Sequence, residues 1–169
     1  MVSSPLRVGL IGCGFFAENH LAAWSSMDDV TLVAVCDLDV GKARSAAERH
    51  GARTVYGDAA EMFASEPLDF VDIATTMESH AKLIDLAAGR GVPVIVQKPL
   101  APSWEECVAV VESCRLAGVP FMVHENTRFL TPVRRARAVI ISGAIGKPTW
   151  ARVSFRTGHN IYGKQPYLA

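Results

Sequence analysis

The 169-residue sequence predicts an α/β fold: an open, mostly parallel sheet, doubly wound, with helices on both faces. Three observations carry this prediction. Short apolar runs alternate with helical patterns six times along the chain. The runs are solidly apolar rather than alternating, as strands covered on both faces require. The first run ends in a glycine-rich turn that opens a helix, the arrangement on which such sheets bind anions.

The elements follow in order. "LRVGLIG" (Leu6–Gly12) is a buried strand. "FFAENHLAAW" continues as a helix, with Phe16, His20 and Trp24 at helical spacing. "VTLVAVCD" (Val30–Asp37) is a second buried strand that ends on a carboxylate. "VGKARSAAERHG" is a helix closed by Gly51, with Asp39 as its natural N-cap. "RTVYGD" is a short third strand, and "AAEMFASE" a short helix stopped before Pro67. "LDFVDIATT" (Leu68–Thr76) is the fourth strand, "SHAKLIDLAAGRG" a helix with glycines at its end, and "VPVIVQ" (Val92–Gln97) the fifth strand. Ser103 and Glu106 have the spacing of a capping box at the head of a helix reaching about Ala117. "PFMVHE" is the sixth strand, and Thr131–Pro132 starts a helix ending near Gly143. After Gly146–Lys147–Pro148 the texture changes. Ala151, Val153 and Phe155 alternate with Arg152, Ser154 and Arg156, which predicts a half-buried strand over Thr149–Arg156. Residues 1–124 therefore read as one domain, and 125–169 as a crossover helix and the start of a second.

Composition excludes several function classes. Half the residues are hydrophobic and 20% are charged, as in a chain with a real core. The formal net charge is zero, so no general electrostatic pull acts on nucleic acid or an anionic membrane. The run Arg134–Ala138 is the most basic, and it lies on a helical pattern as a solvated face would. Cys13, Cys36, Cys107 and Cys114 form no CxxC pair and no zinc-spaced cluster, which fits small thiols in a reducing compartment and predicts no metal. The N-terminal apolar stretch is too short to span a membrane and lacks a cleavage pattern, so the expected location is cytoplasmic.

The chemistry-bearing turn is Gly12-Cys13-Gly14-Phe15-Phe16-Ala17, a GxGxxA pattern between strand and helix. Gly12 permits the tight turn, Gly14 lets a pyrophosphate approach the backbone, and Ala17 lets the helix pack on the strand. Asp37 closes the second strand 23 residues after Gly14, where a carboxylate accepts hydrogen bonds from an adenosine ribose and repels a 2′-phosphate. Leu38 follows with no arginine beside it, so NAD is favoured over NADP; Lys42 and Arg44 are the nearby cations that argue the other way. A methyltransferase binding S-adenosylmethionine would use the same turn and acid, so the discriminating residues lie downstream. Thr75, Thr76 and His80 leave the fourth strand at its carboxyl end, where such sheets bind ligands. For His80, packing or capping at the helix start is the competing reading. Gln97–Leu100 leaves the fifth strand at the same edge. Lys98, partly desolvated and sharing space with a nicotinamide cation, would have its pKa lowered toward proton transfer.

The stretches "GLIGCGFFAENH", "VAVCDLD", "VDIATTMESHAKL", "VIVQKPLA", "VHENTRF" and "ISGAIGKP" resemble, in order and spacing, the glucose–fructose oxidoreductase/inositol dehydrogenase/MocA family. The resemblance spans nearly the whole chain, and "QKP" argues against a methyltransferase. It implies a Rossmann domain followed by an α/β domain whose open sheet supports substrate and dimer contacts. It also implies hydride transfer between nicotinamide and a hydroxyl-bearing carbon of a sugar, polyol or related compound. The lysine of the family's Glu-Lys-Pro motif, which contacts substrate and the nicotinamide ribose, corresponds to Lys98. The motif's glutamate is Gln97 here, which hydrogen-bonds but carries no charge. Thr75, Thr76 and His80 match the loop along the dinucleotide. Asn126 and Arg128 match the crossover, where they reach cofactor or substrate, or hold the hinge by hydrogen bonds. The resemblance thus implies a cofactor contact for Gly12, Gly14, Phe15, Phe16, Ala17, Asp37, Thr75, Thr76, His80, Gln97, Lys98 and Asn126, and a catalytic one for Lys98.

Many members also use a histidine in an Asp-x-Gly-x-His-x-x-Asp helix, a motif with no match here; His159 lacks its neighbours. The sequence therefore reads as an incomplete enzyme, truncated after the first strand of the substrate domain. That strand, 149–156, would be an open edge for self-association. The alternative is a non-catalytic dinucleotide-binding or regulatory module.

Overall fold

The computed structural model describes residues 4–154. The chain divides into two compact units, residues 1–125 and 126–169.

The first unit alternates strand and helix from β1 (Leu6–Ile11) and α1 (Ala17–Ser25) through β2 (Val30–Cys36) and α2 (Val40–His50) to β3 (Thr54–Tyr56) and α3 (Ala59–Ser65). It continues with β4 (Phe70–Ile73), α4 (His80–Ala88), β5 (Val94–Gln97), α5 (Trp104–Ala117) and β6 (Phe121–His124). The six strands form one parallel sheet in the order β3-β2-β1-β4-β5-β6. The chain starts in the middle, winds outward through β2 and β3, then returns to the other side of β1. The reversal lies between β1 and β4, and in such sheets ligands bind at the carboxyl edge beside that point.

Both faces are covered, which is why the strands read as continuous apolar runs. On one face Val8, Leu10, Leu32 and Val35 pack against Ala17 and Leu21 of α1 and the small face of α2 formed by Ala43, Ala46 and Ala47. On the other, Ile11, Val71, Ile73, Val94 and Val96 pack against Met62 and Phe63 of α3, Ile84 of α4, and Val110 and Cys114 of α5. Helix ends follow local chemistry. Asp39 caps α2 by accepting from the Gly41 and Lys42 N–H groups at 3.0 and 3.3 Å. Asp58 caps α3 in the same way, and Ser103 accepts from the Glu106 N–H at 3.2 Å to start α5. Gly51 and Gly118 close α2 and α5 in the left-handed conformation that favours glycine.

The second unit holds a 3₁₀ turn, Asn126–Phe129, and α6 (Thr131–Ile141), with Pro132 in its first turn. Val133, Val139, Ile140 and Ile141 are exposed. The alternation over Thr149–Arg156 predicts a strand, but Thr149–Ser154 are exposed and form none; Phe155, Arg156 and His159 lie outside the described residues. A strand is completed by ladder bonds from a neighbour, and no strand in the described residues pairs with this one. The edge expected for self-association is therefore absent from the described residues.

Candidate dinucleotide site

The site is built where β1, β2, β4 and β5 end. Gly12 leaves β1 with φ +93°, and a Cβ there would lie 2.8 Å from the carbonyl carbon and oxygen of Ala74 and from Thr75 Cγ2. Both the backbone angle and the closeness of the β4 loop require glycine at this position. Gly14 differs. No heavy atom lies within 4 Å of where its Cβ would stand, so the backbone there is open to an incoming group. The turn delivers the chain to α1, whose N-cap residue Phe16 offers no side-chain bond to the first N–H groups. Those donors and the helix dipole face the open turn, as an anion requires. Phe15 is exposed at the tip, while Ala17 is fully buried beneath α1.

Asp37 joins the turn to the end of β2. Its Oδ2 accepts from the Cys13 N–H at 2.7 Å and its Oδ1 from the Asp39 N–H at 2.8 Å. A carboxylate offers about four lone-pair positions, so two remain for a diol. Asp37 thus shapes the turn, and the capping role belongs to Asp39. Leu38 is 94% exposed. Lys42 leans on Asp39 at 3.9 Å, a loose exposed pair. Burial pushes the Cys13 thiol up to about 12, and Asp37 and Cys36 add to it. Burial likewise raises Cys36 to about 11, with Asp58, Asp37 and Glu61 contributing. These thiols stay protonated and are poor nucleophiles at neutral pH. All four cysteines are free, and no group of His, Cys, Asp and Glu that could hold a metal ion is found among the described residues.

The β4 and β5 loops are tied together behind the site. The Ser79 hydroxyl sits 2.7 Å from Thr75 Oγ1 and 2.8 Å from the Thr76 carbonyl, which shapes the Thr75–Thr76 segment. His80 is buried, with Nε2 3.2 Å from the Thr75 carbonyl and Nδ1 3.1 Å from those of Pro99 and Leu100. The ring is therefore a brace between the two loops rather than a group offered to solvent. Lys98 follows β5 with a cis peptide bond to Pro99. It is exposed, so the desolvation anticipated from its apolar neighbours is not supplied by the described residues. Its ammonium makes no ion pair among them. Asn126 and Arg128 stand in the second unit, on the 3₁₀ turn, both exposed, with the Arg128 guanidinium 5.6 Å from the Phe129 ring centre.

Sequence reasoning misses one cluster. Asp72, fully buried in β4, accepts at Oδ2 from the Trp24 indole N–H at 2.7 Å and faces His20 Nδ1 at 2.7 Å. Gln97 Nε2 lies 2.9 Å from His20 Nε2, and Gln97 Oε1 accepts from the Lys98 N–H at 2.7 Å. The His124 ring stands edge-on to His20, with centres 4.4 Å apart. The signal was present in "FVDIATT": an acid inside a strand buried on both faces needs partners. Gln97, anticipated as a cofactor contact, is 6% exposed and has both ends of its amide engaged within the protein.

The crossover point, the glycine turn and the acid at the end of β2 have the arrangement of a dinucleotide-binding domain. The oxidoreductase family with an NAD-binding Rossmann fold, GFO_IDH_MocA, matches residues 6–125, and the chain belongs to this family. Among curated relatives, D-apiose dehydrogenase of Rhizobium rhizogenes is 46% identical across the whole chain, which covers 49% of that protein. D-apiose dehydrogenase of Paraburkholderia graminis is 49% identical over 95% of the chain, covering 43% of its own length. An oxidoreductase from Agrobacterium radiobacter, solved with NAD+, L-tartaric acid and magnesium, superposes with a TM-score of 0.95 at 46% identity over 98% of this chain and 48% of that one. The chain thus spans about half the length of the relatives it matches. No helix among the described residues is long and apolar enough to cross a membrane.

Proposed function

We propose that the chain is the dinucleotide-binding half of an NAD-dependent dehydrogenase acting on a sugar, polyol or related hydroxy compound. The observation that carries this reading is the open backbone at Gly14 beside Asp37, which accepts from the Cys13 N–H, with Lys98 on the same edge of the sheet. Bound NAD would supply a hydride acceptor. Gly12, Gly14, Phe15, Phe16 and Ala17 form the turn and helix start that would hold its pyrophosphate, and Asp37 would hold the adenosine ribose. Thr75, Thr76 and Lys98 would line the path toward the nicotinamide. Lys98 would orient the substrate hydroxyl and exchange its proton. The carboxylate of Asp37 supports NAD over NADP, since a 2′-phosphate would meet a like charge.

The two D-apiose dehydrogenases among the relatives make D-apiose and related aldoses the first substrates to try. The proposed partners are thus a dinucleotide and a small hydroxy compound, with the protein in the cytoplasm. NAD reduction with D-apiose and a panel of aldoses and polyols, in a longer chain that also carries a substrate-binding half and in its Lys98→Ala variant, tests the proposal. Turnover that Lys98→Ala abolishes supports it. Undiminished turnover in the variant overturns the role of Lys98, and NAD binding without turnover of any panel member would favour a binding module.

A further inference from the structure

The buried cluster behind Lys98 has an internal order that the chemistry of its members forces. The peptide N–H of Lys98 can only donate, so the Gln97 atom 2.7 Å away is its oxygen. That fixes the amide, and its NH₂ faces His20 Nε2 at 2.9 Å. An amide NH₂ also only donates, so His20 Nε2 is the acceptor and the ring proton is on Nδ1. From there it is donated to Asp72 Oδ2 at 2.7 Å, which the Trp24 indole approaches at the same distance. His20, Asp72 and Gln97 are each at most 6% exposed. Buried polar groups of this kind disfavour folding unless they are paired.

We infer that Asp72, His20 and Gln97 are positioning residues for Lys98. They form a directed hydrogen-bond chain from α1 and β4 to the lysine's own peptide N–H, in which glutamine at position 97 holds His20 as its Nδ1–H tautomer. The inference rests on the reading of Lys98 as the substrate-facing group. The chain crosses three elements and ends on the backbone that carries the lysine, so a change at Asp72 or His20 reaches Lys98 without touching its side chain. A glutamate at 97 would alter the chain without altering its shape. Its two oxygens would both be acceptors, one for the Lys98 N–H and one for His20 Nε2. A proton must then lie between that carboxylate oxygen and His20 Nε2, with His124 of β6 a further titratable group against the ring.

Long-range ¹H–¹⁵N correlation of the histidine rings in the 169-residue chain tests this without cofactor or substrate. At neutral pH the His20 ring is expected to show a protonated Nδ1 and a bare Nε2. In Gln97→Ala, the Lys98 amide is expected to exchange with solvent at least ten times faster, while amides in the middle of β1 keep their protection. A protonated Nε2 in the unmodified chain would overturn the inference. So would a Lys98 amide whose exchange ignores Gln97→Ala. Because none of these readouts involves turnover, normal activity in Lys98→Ala would sink the assigned role of Lys98 and leave the hydrogen-bond order standing.

Discussion

Substituting alanine at Gly14 and at Gly12 separates binding from folding within one turn. At Gly14 the added methyl meets no heavy atom within 4 Å, and the backbone is not in the left-handed region. Alanine there should leave stability unchanged or raise it by about 0.4–1 kcal/mol, because it restricts only the unfolded chain. The same methyl occupies the open approach to the backbone, so NAD binding should weaken at least about tenfold, or about 1.4 kcal/mol. At Gly12, alanine takes on φ +93° and drives its Cβ to 2.8 Å from the Ala74 carbonyl group. The angle costs about 1–2 kcal/mol and the displaced backbone about 1–3 more, so the variant should lose about 2–5 kcal/mol of stability. Denaturant melts and calorimetric titration with NAD, run on both variants, give the two numbers separately. A stable Gly14→Ala protein that binds NAD as tightly as the parent would refute the assignment of the pyrophosphate to this backbone.

Further predictions concern single contacts. Asp37→Ala removes the acceptor for the Cys13 and Asp39 N–H groups, so stability should drop by about 1–3 kcal/mol and any preference for NAD over NADP should shrink; paired melts and titrations read both. Ser103→Ala should cost about 1 kcal/mol in a denaturant melt through loss of the α5 cap, with NAD affinity untouched. Burial, with His20 adding to it, holds His124 below its ordinary value of 6.5, against the pull of Asp72 and Glu125. The unfolded chain then takes up this proton first, so the contribution is complete above about pH 6.5 and is lost as pH falls through the folded value. Denaturant midpoints should decline over that interval, and His124→Gln should flatten the slope; an equal slope in the variant would assign it to other groups.

The parts of the fold that were legible were those where local chemistry and burial agree. β1, β2, β4 and β5 are covered on both faces, so their runs are apolar apart from Asp72 and the polar residues near strand ends, Arg7, Thr31 and Gln97, and the caps at Asp39 and Ser103 are bonds between near neighbours in sequence. Gly12 was legible as a turn, but the reason it admits no side chain is the Ala74 carbonyl, 62 residues away in sequence. The Thr149–Arg156 alternation promised a strand because periodicity reports a face, whereas a strand also needs a partner that no local pattern reveals. Lys98 was expected to be desolvated from its apolar flank; it is exposed because the strand's burial stops at Gln97. The cluster of His20, Asp72 and Gln97 joins residues up to 77 positions apart, and only the sheet order β1-β4-β5 brings them together. Asp72 could have flagged it, as a charge within a run that is otherwise apolar.

The central claim is that the carboxyl edge around Gly14 and Asp37 binds NAD. Calorimetric titration of the 169-residue chain with NAD and with NADP tests it most directly. Saturable binding is expected, with NAD tighter than NADP. A folded chain that binds neither dinucleotide, or that prefers NADP with Asp37 intact, would contradict it.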